Sequence, residues 1–197
     1  MRARFFRIFV TVSALPVLAA CATSALEDQK KTREIFDRGV AAYDAKDYPQ
    51  AYKLFSSIDD HDLAAMRNVA LMLRKGEGVA KDPVAAEAMY ARAASGGLAT
   101  AAADLGEMLL NGEAGPPDPK AAAPWLAGAA DAGHPVAAFE LGGMYETGNG
   151  VPKDLAAARK LYSEAAAAGM DEAAKRLSTL PPDDTPQQRP SGGASGP

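Results

Sequence analysis

Glycine recurs in this chain at a fixed interval of 36 residues, at Gly76, Gly112 and Gly148. Two further landmarks keep the same interval: Asp82, Asp118 and Asp154, and Gly97, Gly133 and Gly169. Three landmarks in three copies indicate a repeat array, with a period in the range of two-helix solenoid units. One such unit cannot cover its own apolar face, so neighbouring units must stack. The sequence therefore predicts an all-α fold and favours a binding scaffold over an enzyme.

Each copy reads as two helices separated by a glycine loop, and we call the two helices A and B. Apolar residues at three- and four-residue spacing mark one inward stripe on helix A. A glycine with positive φ closes helix A, and the aspartate caps the free N–H groups of helix B. Helix A is predicted over 62–75, 98–111 and 134–147, and helix B over 83–96, 119–132 and 155–168.

Alanine recurs at one phase of each helix, which allows neighbouring helix axes to approach closely. The alanines are Ala65, Ala101, Ala137 and Ala173 in the A phase, and Ala86, Ala122 and Ala158 in the B phase. The middle copy differs because Pro124 falls inside its helix B, where it removes one backbone hydrogen bond. We therefore expect a kink or a late helix start there.

The segments LRKGEGVAKDPVAAEAMYARAASGG (73–97) and YETGNGVPKDLAAARKLYSEAAAAG (145–169) resemble the Sel-one-like repeat, a relative of the tetratricopeptide repeat. This resemblance implies a right-handed α-α superhelix, or solenoid, of helical hairpins. It divides the chain into repeats 62–97, 98–133 and 134–169, with a capping helix that extends the array to 179. Gly39, Ala51 and Phe55 match the spacing of a tetratricopeptide unit, so 30–61 is interpreted as a degenerate hairpin of that type.

The N-terminus reads as a secretory signal peptide over 1–20. Arginines at 2, 4 and 7 precede an apolar run that is shorter than the roughly 20 residues of a membrane-spanning helix. Leu18-Ala19-Ala20-Cys21 resembles the lipobox of bacterial lipoproteins, which implies cleavage before Cys21 and lipidation of its thiol, with 21–29 as lipidated cysteine and spacer. The alternative is an ordinary secreted protein with a chance cysteine near its cleavage site.

The lipobox resemblance also implies a cellular location. Ala22, rather than an aspartate, follows the cysteine, so the sorting rule of Gram-negative lipoproteins implies a periplasmic protein anchored in the outer membrane. Cys21 is the only cysteine, which excludes a disulfide within the chain. Cleavage would remove three arginines and no acids, taking the formal net charge from −4 to −7. An acidic protein without a basic patch is an unlikely partner for nucleic acid.

The C-terminal segment 180–197 is rich in proline and glycine and has too few large apolar residues to form a core. It is interpreted as a disordered, solvated tail, with a tethering or recognition role as the alternative.

The sequence shows no set of residues typical of catalysis. Paired Cys-x-x-Cys, His-Glu-x-x-His, a phosphate loop and a Gly-x-Ser-x-Gly elbow are all absent. His61 and His134 each lie at the predicted entrance to a helix A, where a turn or capping role explains them. We therefore predict a protein that is not an enzyme and that needs no cofactor or metal.

The tetratricopeptide resemblance implies a peptide-binding groove along the A helices. Its positions carry over to Arg67, Leu71 and Arg74, to Ala103, Glu107 and Leu110, and to Phe139, Gly143 and Glu146. We expect apolar anchors among them, at Leu71, Leu110 and Phe139, with the arginines at one end and the glutamates toward the other. For Phe139, packing against a neighbouring helix is the alternative.

Together, these resemblances imply a non-catalytic envelope lipoprotein that acts as a scaffold or adaptor for other envelope proteins or peptides. The alternative is a cell-wall enzyme or a muropeptide- or β-lactam-binding repeat protein. Cysteine-rich relatives of the repeat family have been linked to β-lactams, but they carry a cysteine pair in each repeat, and this chain carries none.

Overall fold

The computed structural model describes residues 15–181, with side chains from Leu26 onward. Residues 1–14 of the predicted signal peptide, the side chain of the predicted lipidation site Cys21, and residues 182–197 of the predicted tail lie outside the described residues. Between 15 and 181 the chain forms nine helices and no strand. They are α1 Leu15–Asp44, α2 Tyr48–Ser56, α3 Leu63–Lys75, α4 Pro83–Ser95, α5 Ala99–Asn111, α6 Pro119–Asp131, α7 Pro135–Thr147, α8 Leu155–Ala167 and α9 Asp171–Thr179.

Consecutive helices pack against one another from α1 to α9, and the A helices α5 and α7 also touch. The three repeats are α3–α4, α5–α6 and α7–α8, with the hairpin α1–α2 before them and α9 after them. Packing of each unit mainly on its sequence neighbours is the defining property of a solenoid. The predicted all-α helical solenoid is confirmed.

The repeated turn residues act as the sequence predicts. Gly76, Gly112 and Gly148 end the A helices with φ of 80°, 67° and 79°, a conformation that glycine adopts without strain. The three aspartates cap the B helices, each accepting a hydrogen bond of 2.9 Å from the backbone N–H three residues later. As a result, the repeat helices agree with the prediction to within one residue: the A helices begin one residue later and the B helices end one residue earlier.

The two alanine columns lie in the core. All seven of these alanines are fully buried, at 0% exposure. Large side chains from the B helices fill the space beside them, among which Tyr90, Leu126 and Tyr162 are also almost completely buried. The small residues therefore set the distance between helices, and the large ones fill the layer between A and B.

Two helix starts differ from the sequence prediction. The late start proposed for α6 is wrong, because the Asp118 cap and Pro119 in the first turn begin the helix before Pro124; the kink stays a prediction. Helix α1 begins at Leu15 rather than near 30 and runs through the predicted spacer 21–29. No glycine or proline occurs between Pro16, in the first turn, and Gly39, so nothing local stops the helix.

Candidate protein-binding face

Helices α1, α3, α5 and α7 are the first, or A, helices of the four hairpins, and in a stack of such hairpins they line one side of the array. We call the partly exposed side chains of these helices the A face. All nine predicted groove residues lie on α3, α5 or α7, and therefore on the helices of this face. Their neighbours within the chain decide which of them are available to a partner.

The two arginines of the predicted groove are already paired. Arg67 Nε lies 2.6 Å from Asp104 Oδ2, which joins α3 to α5. The Arg74 guanidinium contacts Glu107 Oε2 at 3.1 Å. The arginines do lie at one end of the predicted groove, on α3, but they are not free of the acids, because each reaches a carboxylate of the next repeat.

Arg74 is the most enclosed of these charges, with a side chain that is only 15% exposed. Besides Glu107, it binds the Glu113 carboxylate of the following loop, with Arg74 Nε 2.7 Å from Glu113 Oε2. The hydrogen bond from Arg74 holds the pKa of Glu113 below its ordinary value. This guanidinium therefore links two consecutive repeats, and a partner cannot use it without competing with two carboxylates.

Glu146 is also occupied by neighbours within the chain. It accepts hydrogen bonds of 2.8 Å from the Tyr162 hydroxyl and from Arg176 Nε of the capping helix. Burial alone would raise the pKa of Glu146, but these two hydrogen bonds and the positive charges of Arg176 and Lys153 together outweigh it and lower the pKa. The residue therefore joins the last repeat to its cap.

The apolar groove residues differ in how far they are available. Phe139 packs on Tyr162 with ring centroids 5.5 Å apart, which confirms the alternative that it contacts a neighbouring helix. Leu110 packs at the edge of the α5–α7 core. Leu71, in contrast, lines an apolar cavity of about 130 Å³ between α1 and α3. The other lining residues are Val40, Tyr43, Phe55 and Asn68.

Glu140 on α7 is the feature of the A face that the groove prediction missed. Its Oε2 is buried and has no hydrogen-bond partner among the described residues. The pKa of Glu140 is raised to about 7, chiefly by burial and further by Glu107 and Asp104, with Arg74 opposing them. The 36-residue register could have pointed to Glu140, since Asn68, Asp104 and Glu140 share one phase.

The histidines and acids do not form a metal site in the part of the chain that the structure describes. His134 is the N-cap of α7, and its Nδ1 accepts a hydrogen bond of 3.4 Å from Ala137 N. His61 lies in the turn before α3, where its N–H donates to Ile58 O. The predicted turn and capping roles are confirmed. None of the helices in residues 15–181 has both the length and the apolarity needed to cross a membrane.

Known structures with the same fold include two bacterial repeat proteins. A Sel1 repeat protein from Oxalobacter formigenes is 31% identical, with a TM-score of 0.68 over 72% of this chain and 58% of its own length. A protective antigen of uropathogenic Escherichia coli strains with an SLR fold is 25% identical, with a TM-score of 0.70 over 74% of this chain and 32% of its own. This chain therefore aligns with about half of the first relative and a third of the second.

A third structure, cysteine-rich protein B of Helicobacter pylori, shares the fold at 19% identity, with a TM-score of 0.53 over 64% of this chain and 96% of its own. No curated protein matches the chain in sequence. The Sel1 repeat model matches residues 63–98, 99–134 and 135–170, more than half of the chain and one residue later than the repeats predicted from the glycine register. With three matched repeats folded into consecutive hairpins, the chain belongs to the Sel1 repeat family.

Proposed function

We propose that this protein is a non-catalytic adaptor that holds a partner protein on its A face. Sel1 repeats commonly mediate protein–protein interaction, and proteins of this family are typically non-catalytic scaffolds. The observation that carries the proposal is the apolar cavity at Leu71, which lies between two A helices. A cavity of this size accommodates one apolar side chain of a partner segment, in the way that anchor residues fill pockets at interfaces.

We further propose that the adaptor works in the cell envelope, anchored by lipid at Cys21. The support is the sequence Leu18-Ala19-Ala20-Cys21 at the end of an apolar run with arginines before it. Two acyl chains suffice for stable anchoring, so the three chains of bacterial lipoproteins would hold the protein on the membrane essentially permanently. The residue after the cysteine is Ala22 rather than aspartate, which supports the outer membrane as the location.

Site-specific crosslinking in cells tests whether the A face binds a protein. A photoreactive amino acid at Val40 or Leu71 is expected to capture the same partner, because both residues line the cavity. The same amino acid at Val84, which is 64% exposed on the B helix α4, is the control and is expected not to capture it. Equal capture from Val84, or no capture from either cavity position, would contradict the proposal.

Replacing Cys21 with serine tests the anchor. The variant lacks the thiol that would carry the lipid, so we expect no lipid label and an uncut precursor. Metabolic labelling with a palmitate analogue and the gel mobility of the precursor measure the two effects. Normal cleavage of the Cys21→Ser variant would instead show that an ordinary signal peptidase processes the chain.

A further inference from the structure

Glu140 is a partly buried carboxylate, one of whose oxygens the fold encloses without compensating its charge. Its Oε2 is enclosed and finds no hydrogen-bond donor among residues 15–181. Burial of a carboxylate without a partner costs free energy, so such groups are normally paired or neutralised. A fold that retains one on its candidate binding surface indicates a role for it in binding.

The preceding repeat shows what a carboxylate at this position pairs with. Asp104 occupies the same phase 36 residues earlier, and Arg67 of the repeat before it lies 2.6 Å away. The equivalent partner for Glu140 would be residue 103, 36 positions after Arg67, but this residue is an alanine and carries no charge. The arginine–carboxylate ion pair that joins α3 to α5 therefore has no equivalent between α5 and α7.

The charges around Glu140 also favour a cation. Asp104 and Glu107 of α5 and Arg74 of α3 are the charged groups that act on it. With Arg67 and Glu113, the local cluster contains four acids and two arginines, an excess of two negative charges when Glu140 is ionised. A positively charged side chain placed here would improve the balance.

A second buried polar group lies in the same cluster. Tyr90 on α4 is fully buried, and its hydroxyl has no hydrogen-bond partner in the described part of the chain. It lies within the electrostatic reach of Arg67, Arg74 and Asp104. Tyr162 is the equivalent residue in the third repeat, and its hydroxyl donates to Glu146. In the first repeat the position of Glu146 is occupied by Arg74, which is itself a donor. Tyr90 therefore has an arginine where Tyr162 has a carboxylate.

We propose that the A face receives an arginine side chain of the partner protein at Glu140, between α5 and α7. The proposal rests on the adaptor function given above and adds the chemistry of the segment that is bound. Arginine is favoured over lysine because its planar guanidinium can bind two carboxylates at once, as Arg74 does with Glu107 and Glu113. The partner segment therefore combines an apolar anchor for the Leu71 cavity with an arginine for Glu140.

Binding of this arginine is coupled to a proton. With a pKa of about 7, Glu140 is about half protonated in the free protein at neutral pH. A bound guanidinium favours the carboxylate, so binding releases that proton, and affinity rises as the pH increases. Between pH 6 and pH 8 the ionised fraction rises from roughly one tenth to roughly nine tenths, which limits the gain in affinity to about ninefold.

Fluorescence polarisation with labelled hexa-arginine tests the site, with hexaglutamate as the peptide control. At pH 8 we expect wild-type protein to bind hexa-arginine and not hexaglutamate, and the isosteric variant Glu140→Gln to bind at least tenfold more weakly. Glu172→Gln on α9 removes the same charge from an exposed position and should stay within twofold of wild type. Affinity should rise at least threefold from pH 6 to pH 8 in wild type but not in Glu140→Gln.

The outcomes separate this inference from the adaptor function. Wild-type affinity in Glu140→Gln, an equal loss in Glu172→Gln, or no binding of hexa-arginine would overturn the arginine site, even if crosslinking from Leu71 captured a partner. Absence of crosslinks from Leu71 with specific binding of hexa-arginine at Glu140 would instead keep the arginine site and reject the cavity as the anchor. Circular dichroism of both variants checks that each is folded.

Discussion

Replacing Gly150 with alanine is expected to lower the free energy of unfolding by about 2–4 kcal/mol. Gly150 follows α7 with φ of 75°, where an alanine is strained. An added Cβ would also lie 2.5 Å from the carbonyl carbon of Pro119, at the start of α6 in the preceding repeat. Because the obstacle is backbone rather than a flexible side chain, the loop and the helix would have to separate, and the contact between two repeats would weaken.

Urea unfolding followed by circular dichroism at 222 nm measures this effect, and two other glycines serve as controls. Gly133 also has a positive φ, of 84°, but a Cβ there meets nothing within 4 Å, so its alanine variant should lose only about 1 kcal/mol. A Cβ at Gly115 also meets nothing, and its φ is not positive, so Gly115→Ala should change stability by less than about 0.5 kcal/mol. Equal losses in all three variants would show that the contact between repeats contributes nothing.

The fold was largely predictable from the sequence, and the loops in phase with Gly150 show where the prediction stops. Glycine turns, aspartate caps and alanine columns act locally or at one fixed period, so their positions alone determine the helix boundaries and the stacking. The middle loop breaks the pattern, with Ala114 in phase with Gly78 and Gly150. Its backbone accordingly avoids positive φ at Ala114 and Gly115. The sequence shows that the loop differs, but not the path that it takes instead.

The candidate site was less predictable, because its charges pair between repeats. Arg67 and Arg74 bind carboxylates 33 to 39 residues away, and each pair depends on the rotamer of a long side chain across a helix interface. Groove positions carried over from a related family identify the face but cannot show which charges are already neutralised. Glu140 stands out only when Asp104 and its arginine are compared with the next repeat, and its burial is visible only in the structure.

Replacing Glu140 with glutamine is expected to stabilise the protein at pH 8 by about 1–2 kcal/mol. Burial, with a smaller contribution from Glu107 and Asp104, raises the pKa of Glu140 from 4.5 to about 7. Between these two values the folded state keeps a proton that the unfolded chain has lost, so the contribution of Glu140 to stability falls as the pH rises through this window and stays low above it. The full shift would correspond to about 3 kcal/mol, and partial solvent exposure reduces it. Glutamine has almost the same shape and never ionises, so it avoids this loss.

The comparison that isolates this effect is the difference in unfolding free energy between Glu140→Gln and wild type, measured at pH 4 and at pH 8. We expect a difference near zero at pH 4, where the carboxyl is protonated in both states, and a clear gain at pH 8. Glu172→Gln should show no gain at either pH, because its side chain is exposed on α9. A variant that is more stable yet binds hexa-arginine at least tenfold more weakly would show that Glu140 serves binding at the expense of the fold, as residues of functional sites often do. Destabilisation by Glu140→Gln at pH 8 would show instead that the carboxylate is compensated in the folded protein, and the argument for an incoming cation would fail with it.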